Sequence, residues 1–310
     1  MTYLSVVQGS DEWLALRRTL VTATDIPVLL GLSPYKCEAD VADEKLLGTM
    51  QPSTLRMRAG TALQDFIGAE YVATTGRPIK RVRGIFVHDE LPWAGASPDF
   101  RVVGERRLVE AKSTGSRSRF ADGLPQDVEA QVVWQLGVSG FPVADVAALV
   151  SNDELVPFEV QANPTLFADL VAIAEDFRAR LAAGGPFARD ANRIKRDYPS
   201  DDGSEMAADA ELSEAVLALA AMRGQRRDME AAEERIETAI KSRMGEATSL
   251  VGQGFRVTWK QTKPVEQTDW KSVADGALRQ LPETEAQALV GIATTVRSGF
   301  RPFRVTLAKE

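Results

Sequence analysis

Residues 87–112 read VHDELPWAGASPDFRVVGERRLVEAK, and the way this stretch pairs with itself decides the fold. Two short runs rich in β-formers, residues 100–103 and 106–112, flank Gly104 and Glu105. A glycine at the first central position suits a two-residue type II′ turn, so the pattern predicts a tight hairpin. With that turn Val103 pairs with Arg106, and counting outward sets Asp99 opposite Glu110 and Ser97 opposite Lys112. Directly opposed residues have Cβ atoms roughly 4.5–5.5 Å apart, and like charges so placed destabilise a hairpin. A sequence that keeps two carboxylates there gains something else, and a hard divalent cation with oxygen ligands is the simplest candidate. Period-two alternation puts Glu110 and Lys112 on one face. Lys112 then stands beside the cation, placed to position a water or to stabilise charge developing on a phosphate. The carbonyl of Ala111, between them, offers a further ligand. A solvent-exposed hairpin with a cross-strand salt bridge from Lys112 to a carboxylate fits the same spacing.

The rest of the composition sets limits. With 310 residues, 44% hydrophobic and 26% charged, the chain is long enough for one substantial domain and a smaller second one. No run approaches the roughly 18 apolar residues of a membrane span, so no membrane partner is expected. The start, MTYLSVVQGSDEW, has neither a basic nor an apolar leader region, and no secretion signal is inferred. The single cysteine, Cys37, excludes an internal disulfide and a Cys-rich metal site, which suits a reducing cytoplasm. One histidine, His88, excludes a Ser-His-Asp triad alongside a multi-His metal site; on a strand before a turn it reads as structural. The net charge of −7 opposes non-specific attraction to nucleic acid, so DNA binding would have to be local, through clustered cations.

Ser10 can cap a helix through about Leu20, with Trp13, Leu16 and Leu20 on one stripe and Arg17 and Arg18 beside it. Residues 54–75 read as a long helix closed by Gly76, with Gly60, Gln64, Ile67 and Tyr71 on one face. Arg77, Lys80, Arg81 and Arg83 follow as the densest basic cluster of the first half, a solvated face or a DNA track. Residues 125–139 are helical in pattern, with Gln131 and Gln135 stacked at i and i+4. Residues 143–150 and 155–161 look like strands, and residues 164–183 form a strongly amphipathic helix ended by Gly184. Together these predict an α/β fold with a mixed central sheet flanked by helices over residues 1–195. A polar linker at residues 197–203 leads to a second region, 205–310. There residues 207–244 form a helical hairpin arm or one long helix, interrupted at Gly224, with Ala215, Met222, Met229 and Ile236 at seven-residue spacing. Phe255, Val257 and Trp259 alternate as a strand, Asp269 caps a helix through Leu281, Pro282 opens another, and Phe303, Val305 and Leu307 alternate again. The expectation is a small α+β interaction module without a catalytic constellation.

Ser97-Pro98-Asp99 followed by Glu110-Ala111-Lys112 resembles the PD-(D/E)-x-K nuclease signature. The flanking residues resemble its phage-exonuclease branch, the YqaJ and lambda-exonuclease family of viral recombinases. The likeness runs over residues 8–190. Trp13-x-x-x-Arg17, Val21-Thr22-Ala23-Thr24-Asp25 and Gly31-Leu32-Ser33-Pro34-Tyr35 are similar to the family's Trp–Arg helix, "I-T-A-S" turn and "G-x-S-P-Y" segment. The resemblance implies that Arg17 and the Thr24 hydroxyl contact the phosphate at a DNA end, a role suited to a guanidinium fork. Gln64 stands where the family usually has a metal-supporting glutamate; an amide can ligate through oxygen but cannot neutralise a cation. Asp65 faces about 100° round the helix and is a poor substitute. Residues 129–136 resemble the helix "x-x-Q-V-Q-x-Q-M", with Gln131 in the first glutamine position and Val133 replacing the second.

What the resemblance implies is a deoxyribonuclease using Mg²⁺, or Mn²⁺, held by Asp99, Glu110, Ala111 and Gln64, with Asp99, Glu110, Lys112 and Gln131 as catalytic residues. It further implies 5′-to-3′ digestion of linear duplex DNA, leaving 3′ overhangs for phage recombination, a trimeric homo-oligomer and a strand-annealing protein as partner. Two other readings compete. One is an endonuclease or repair enzyme of the same superfamily; the other is a DNA- or partner-binding protein on a weakened nuclease fold.

Overall fold

The computed structural model describes residues 1–49, 53–297 and 299–306. The chain divides into two compact units, Met1–Asp197 and Tyr198–Glu310.

The first unit opens with β1 (Thr2–Leu4) and α1 (Asp11–Thr19). The Ser10 hydroxyl accepts the Trp13 N–H at 3.2 Å, the cap that the sequence announces. β2 (Val21–Thr22), α2 (Ile26–Leu29) and α3 (Glu38–Leu46) follow. The long α4 (Leu55–Thr75) is capped by Thr54 and closed by Gly76 in the left-handed conformation. Five strands come next, β3 (Ile79–Arg81), β4 (Ile85–Val87), β5 (Ala94–Ala96), β6 (Phe100–Val102) and β7 (Arg107–Thr114). Then come α5 (Gln126–Ser139), β8 (Val143–Val150), β9 (Glu154–Gln161), α6 (Pro164–Ala183) and α7 (Ala191–Asp197).

The mixed α/β architecture is present, spread over two sheets where one was expected. The larger has the order β3-β6-β7-β8-β9 and is antiparallel except for β7 and β8, which run parallel with α5 as their connection. A smaller sheet of order β1-β4-β5-β2 is antiparallel except for β2 and β5. The principal core lies where α5 and α6 pack, around Trp134, Leu136, Leu170 and Phe177, all nearly fully buried. The indole N–H of Trp134 donates to the Gly95 carbonyl at 3.1 Å and so ties α5 to the smaller sheet. On the other face of the large sheet, Ile67 and Tyr71 of α4 pack with Phe100, Val102 and Val109. Gly68 permits this approach: a Cβ there would lie 2.9 Å from the Phe100 ring.

The hairpin departs from expectation in its turn and keeps its register. Phe100 pairs with Val109 and Arg101 with Leu108, the alignment that sets Asp99 against Glu110. The connection is four residues long, 103–106, because β3 claims β6 on its other side and the Val103 N–H bonds to the Pro78 carbonyl at 2.8 Å. Val103 therefore does not pair with Arg106, although Gly104 does take a positive φ of 83°. Nor does Ser97 oppose Lys112. The chain crosses from the small sheet to the large one over Ser97-Pro98-Asp99, and the Ser97 hydroxyl donates to the Gly84 carbonyl at 3.0 Å.

The second unit contains α8 (Ala210–Met244), the hairpin β10 (Ser249–Gly252) and β11 (Phe255–Thr258), then α9 (Trp270–Leu278) and α10 (Glu283–Ala293). Of the two forms open in the sequence, α8 is one continuous helix that passes through Gly224. Met222, Met229 and Ile236 on its seven-residue repeat are exposed. Phe303 and Val305 lie in irregular chain, so the expected strand is not formed there; Leu307 falls outside the described residues. Among the described residues of this unit only Met244 is buried.

Candidate active site

Glu110 sits on β7, flanked by β6 and β8, and is 5% exposed. A carboxylate in that position needs donors on both oxygens. Oε1 accepts from Lys112 Nζ at 2.7 Å and from Gln131 Nε2 at 2.7 Å; Oε2 accepts from Gln135 Nε2 at 2.8 Å. Lys112 Nζ also donates to Gln131 Oε1 at 2.9 Å, which closes the network. One face of α5 supplies both glutamines, one turn apart, and period-two alternation brings Lys112 to the same side of β7 as Glu110.

Asp99 stands beside this network, half-buried at the point where the chain enters β6. Its Oδ2 accepts the Ala111 N–H at 2.9 Å, so the backbone between Glu110 and Lys112 holds it. Oδ1 accepts from Gln64 Nε2 at 2.8 Å, and Gln64 Oε1 in turn accepts from Arg81 Nη1 at 3.1 Å. Arg81 also pairs with Asp65 and lies over the Phe100 ring. Burial first, and then the negative charge of Glu110, push the Asp99 carboxyl up to about 7; Lys112, the Ala111 N–H and Arg81 offset this only in part.

Two adjacent carboxylates short of positive charge are the donor set that suits a hard cation. Among the described residues no group of three His, Cys, Asp or Glu forms a metal cluster, so further oxygens would come from the Ala111 carbonyl and from Gln64. In the arrangement seen, the Gln64 amide nitrogen faces Asp99 and its oxygen faces Arg81.

The other expected pair also comes together. Arg17 Nη2 donates to the Thr24 hydroxyl at 3.0 Å, and its guanidinium lies 4.6 Å over the Trp13 ring. Behind it Lys45 Nζ donates to Asp25 at 2.7 Å and to the Arg17 carbonyl at 3.0 Å, both partners of the ion pair being about 5% exposed or less. Burial acts to raise the Asp25 pKa, but the charges of Lys45 and Arg17 outweigh it and hold the carboxyl below its ordinary value. Asp25 also accepts from the Thr22 hydroxyl and N–H, so the turn that presents Thr24 is fixed from below. Trp13, Arg81 and Asp99 line one small cleft, which places the Trp13 that carries Arg17 on the wall shared with the carboxylate.

Sequence reasoning missed three of these side chains. Gln135 was visible only as the neighbour of Gln131 at i+4. Arg81 read as one surface cation among several. Lys45 carried no signal, because its partner Asp25 lies 20 positions earlier and only the fold joins them. His88 is structural, its Nδ1 accepting the Glu90 and Leu91 N–H groups at 3.2 Å.

Residues 12–142 match the model of the YqaJ-like viral recombinase domain, a span that contains every side chain of both clusters. Over 266 residues the chain is 23% identical to the uncharacterized protein YqaJ of Bacillus subtilis (strain 168), covering 81% of this chain and 83% of that one. Among solved structures it is similar to an alkaline exonuclease from Laribacter hongkongensis, with 23% identity, 56% and 94% coverage and a TM-score of 0.49. It is also similar to a phage-related exonuclease from Haemophilus somnus 129PT, with 11% identity, 53% and 96% coverage and a TM-score of 0.42. Among the described residues no helix is long and apolar enough to cross a membrane.

Proposed function

We propose that the chain is a metal-dependent deoxyribonuclease that digests linear duplex DNA from its ends. The observation that carries this reading is the Asp99–Glu110 pair, one half-buried and the other buried, adjacent with a deficit of positive charge and with Lys112 fixed beside it. Asp99, Glu110, the Ala111 carbonyl and, with its amide turned, Gln64 would hold Mg²⁺ or Mn²⁺. Such an ion supplies Lewis-acid polarisation of a phosphate and a water acidic enough to attack near neutral pH. Gln131 and Gln135 keep Glu110 oriented so that it need not reorganise when substrate arrives. Lys112, whose ammonium has a third N–H beyond those given to Glu110 and Gln131, directs it to the attacking water or to a phosphate oxygen.

Arg17 and Thr24 would grip the terminal phosphate, with Trp13 beneath the guanidinium and Lys45 behind it. This grip favours a 5′-phosphorylated end and 5′-to-3′ digestion that leaves a 3′ overhang, a product suited to a strand-annealing recombination protein as partner. A trimer and action in a host cytoplasm complete the reading. End-labelled linear duplex incubated with Mg²⁺, Mn²⁺, Ca²⁺ or chelator, beside covalently closed plasmid, tests it. Cleavage of the closed circle would instead mark an endonuclease. The Gln64 amide, turned away from a ligand's role, favours a second reading as a DNA-binding protein on a nuclease fold; absence of hydrolysis in every metal would select it.

A further inference from the structure

Within the reading as a DNA nuclease, on which this inference rests, we infer that the edge of β3 with β6 and β1 is a binding track for single-stranded DNA, the strand that the enzyme spares. A cleft of about 640 Å³ opens there, walled by Lys80, Arg83 and Arg101 and by the aromatic rings of Tyr3, Phe86 and Phe141. Among the described residues no Asp or Glu lines it, in a chain whose net charge is −7. Lys80 and Arg101 are directly paired across β3 and β6, an arrangement of like charges that costs stability unless an anion neutralises it. Neither they nor Arg83 form an ion pair among the described residues, whereas the neighbouring Arg77 and Arg81 are both neutralised by carboxylates. The free cations therefore face solvent together and point to a polyanion.

The rings decide which one. Tyr3, 45% exposed, is braced by Phe86 with centroids 5.1 Å apart, and Phe86 by Phe141 at 6.1 Å. An aromatic face between cations suits unstacked bases on a phosphodiester backbone; a duplex keeps its bases paired inward and offers no such face. Arg81 lines this cleft and also the small one that contains Asp99, so the track begins beside the proposed chemistry. An enzyme that removes one strand produces the other as single strand at that point.

Fluorescence polarisation of a labelled twelve-residue oligothymidylate on the full chain, in chelator so that nothing is cut, reads the track directly. Lys80→Ala with Arg101→Ala should weaken binding at least tenfold and make the plot of log affinity against log salt shallower by about 1.4. Tyr3→Leu, which fills the space without a π face, should weaken binding about five- to a hundredfold and leave the salt slope unchanged. Wild-type affinity in both cleft variants, no saturable binding by the parent, or equal losses on a blunt duplex of the same length would overturn the track. A chain that binds oligothymidylate in this pattern yet hydrolyses no DNA would leave the track standing and remove the nuclease reading instead.

Discussion

Gln135 Nε2 donates to Glu110 Oε2 at 2.8 Å, and with both residues almost fully buried this bond fixes the rotamer of the central carboxylate. Replacing Gln135 with Met keeps the volume and removes the donor. An unsatisfied buried carboxylate oxygen costs roughly 1–3 kcal/mol. A lower melting temperature and about a tenfold fall in cleavage rate are expected, with far-UV circular dichroism unchanged. Wild-type rate in a destabilised variant would show that the bond serves stability alone.

Glu110→Ala and Lys112→Ala should each reduce hydrolysis of linear duplex by about a hundredfold or more, the loss of a few kcal/mol of transition-state stabilisation. Both should retain a cooperative melt. Activity within a factor of three of the parent in either variant rejects the site.

The raised Asp99 carboxyl gives a pH dependence of defined sign. Its folded value, about 7, lies above the ordinary carboxyl value of 3.8, so the stabilising contribution is full below that lower value and is lost as pH rises from there through about 7. Asp99→Asn removes the titration. In chelator the variant should come closest to the parent below about pH 4, and its melting temperature should exceed the parent's by a growing margin as pH rises from there to about 7, with the full gap present at pH 8. Mg²⁺ at pH 8 should close the gap by stabilising the parent alone. A gap that does not change with pH would contradict the charge deficit at the centre of the site.

Arg17→Ala should slow digestion of 5′-phosphorylated ends much more than of 5′-hydroxyl ends, since only the former present the dianion. The difference should shrink at high salt as the contact is screened. Equal loss on both substrates would make Arg17 a packing partner of Trp13.

A fragment ending at Asp197 should fold cooperatively, because the buried apolar clusters of the first unit lie within it. It should still cleave linear duplex in Mg²⁺, while sedimentation reports whether oligomerisation is lost with the exposed methionines of α8. A folded fragment of native oligomeric state without activity would assign the second unit a part in DNA engagement or in the site.

The register of the β6–β7 hairpin was legible because the glycine turn and the period-two pattern are local, and they alone set Asp99 against Glu110. Its turn length was not, since the competitor for Val103 is the Pro78 carbonyl, 25 positions away. The helices at Asp11–Thr19, Leu55–Thr75 and Pro164–Ala183 announce themselves through Ser10, Gly76 and Gly184. Apart from the strand leading to His88 the smaller sheet left no trace, because strands of two or three residues are too short for alternation and their partners lie up to about 85 positions away. For the site, residue types and spacing gave Asp99, Glu110 and Lys112, and the family resemblance gave the Arg17–Thr24 pair. The hydrogen-bond donors around them depend on which helix face meets which strand, and that is a property of packing.

The passage of the chain from one sheet to the other at Ser97-Pro98-Asp99 has a mechanical result. Glu110 is anchored in the middle of the larger sheet, and Asp99, although it sits at the joint, is tied by the Ala111 N–H to the same strand, so the spacing of the two carboxylates is set by the larger sheet while the smaller one is free to vary beside it. A side chain at Gly84 would meet the Leu4 carbonyl and one at Gly95 the Leu20 side chain, each at under 3 Å, so substitutions there should strain the smaller sheet while leaving the pairing of β6 with β7 in place.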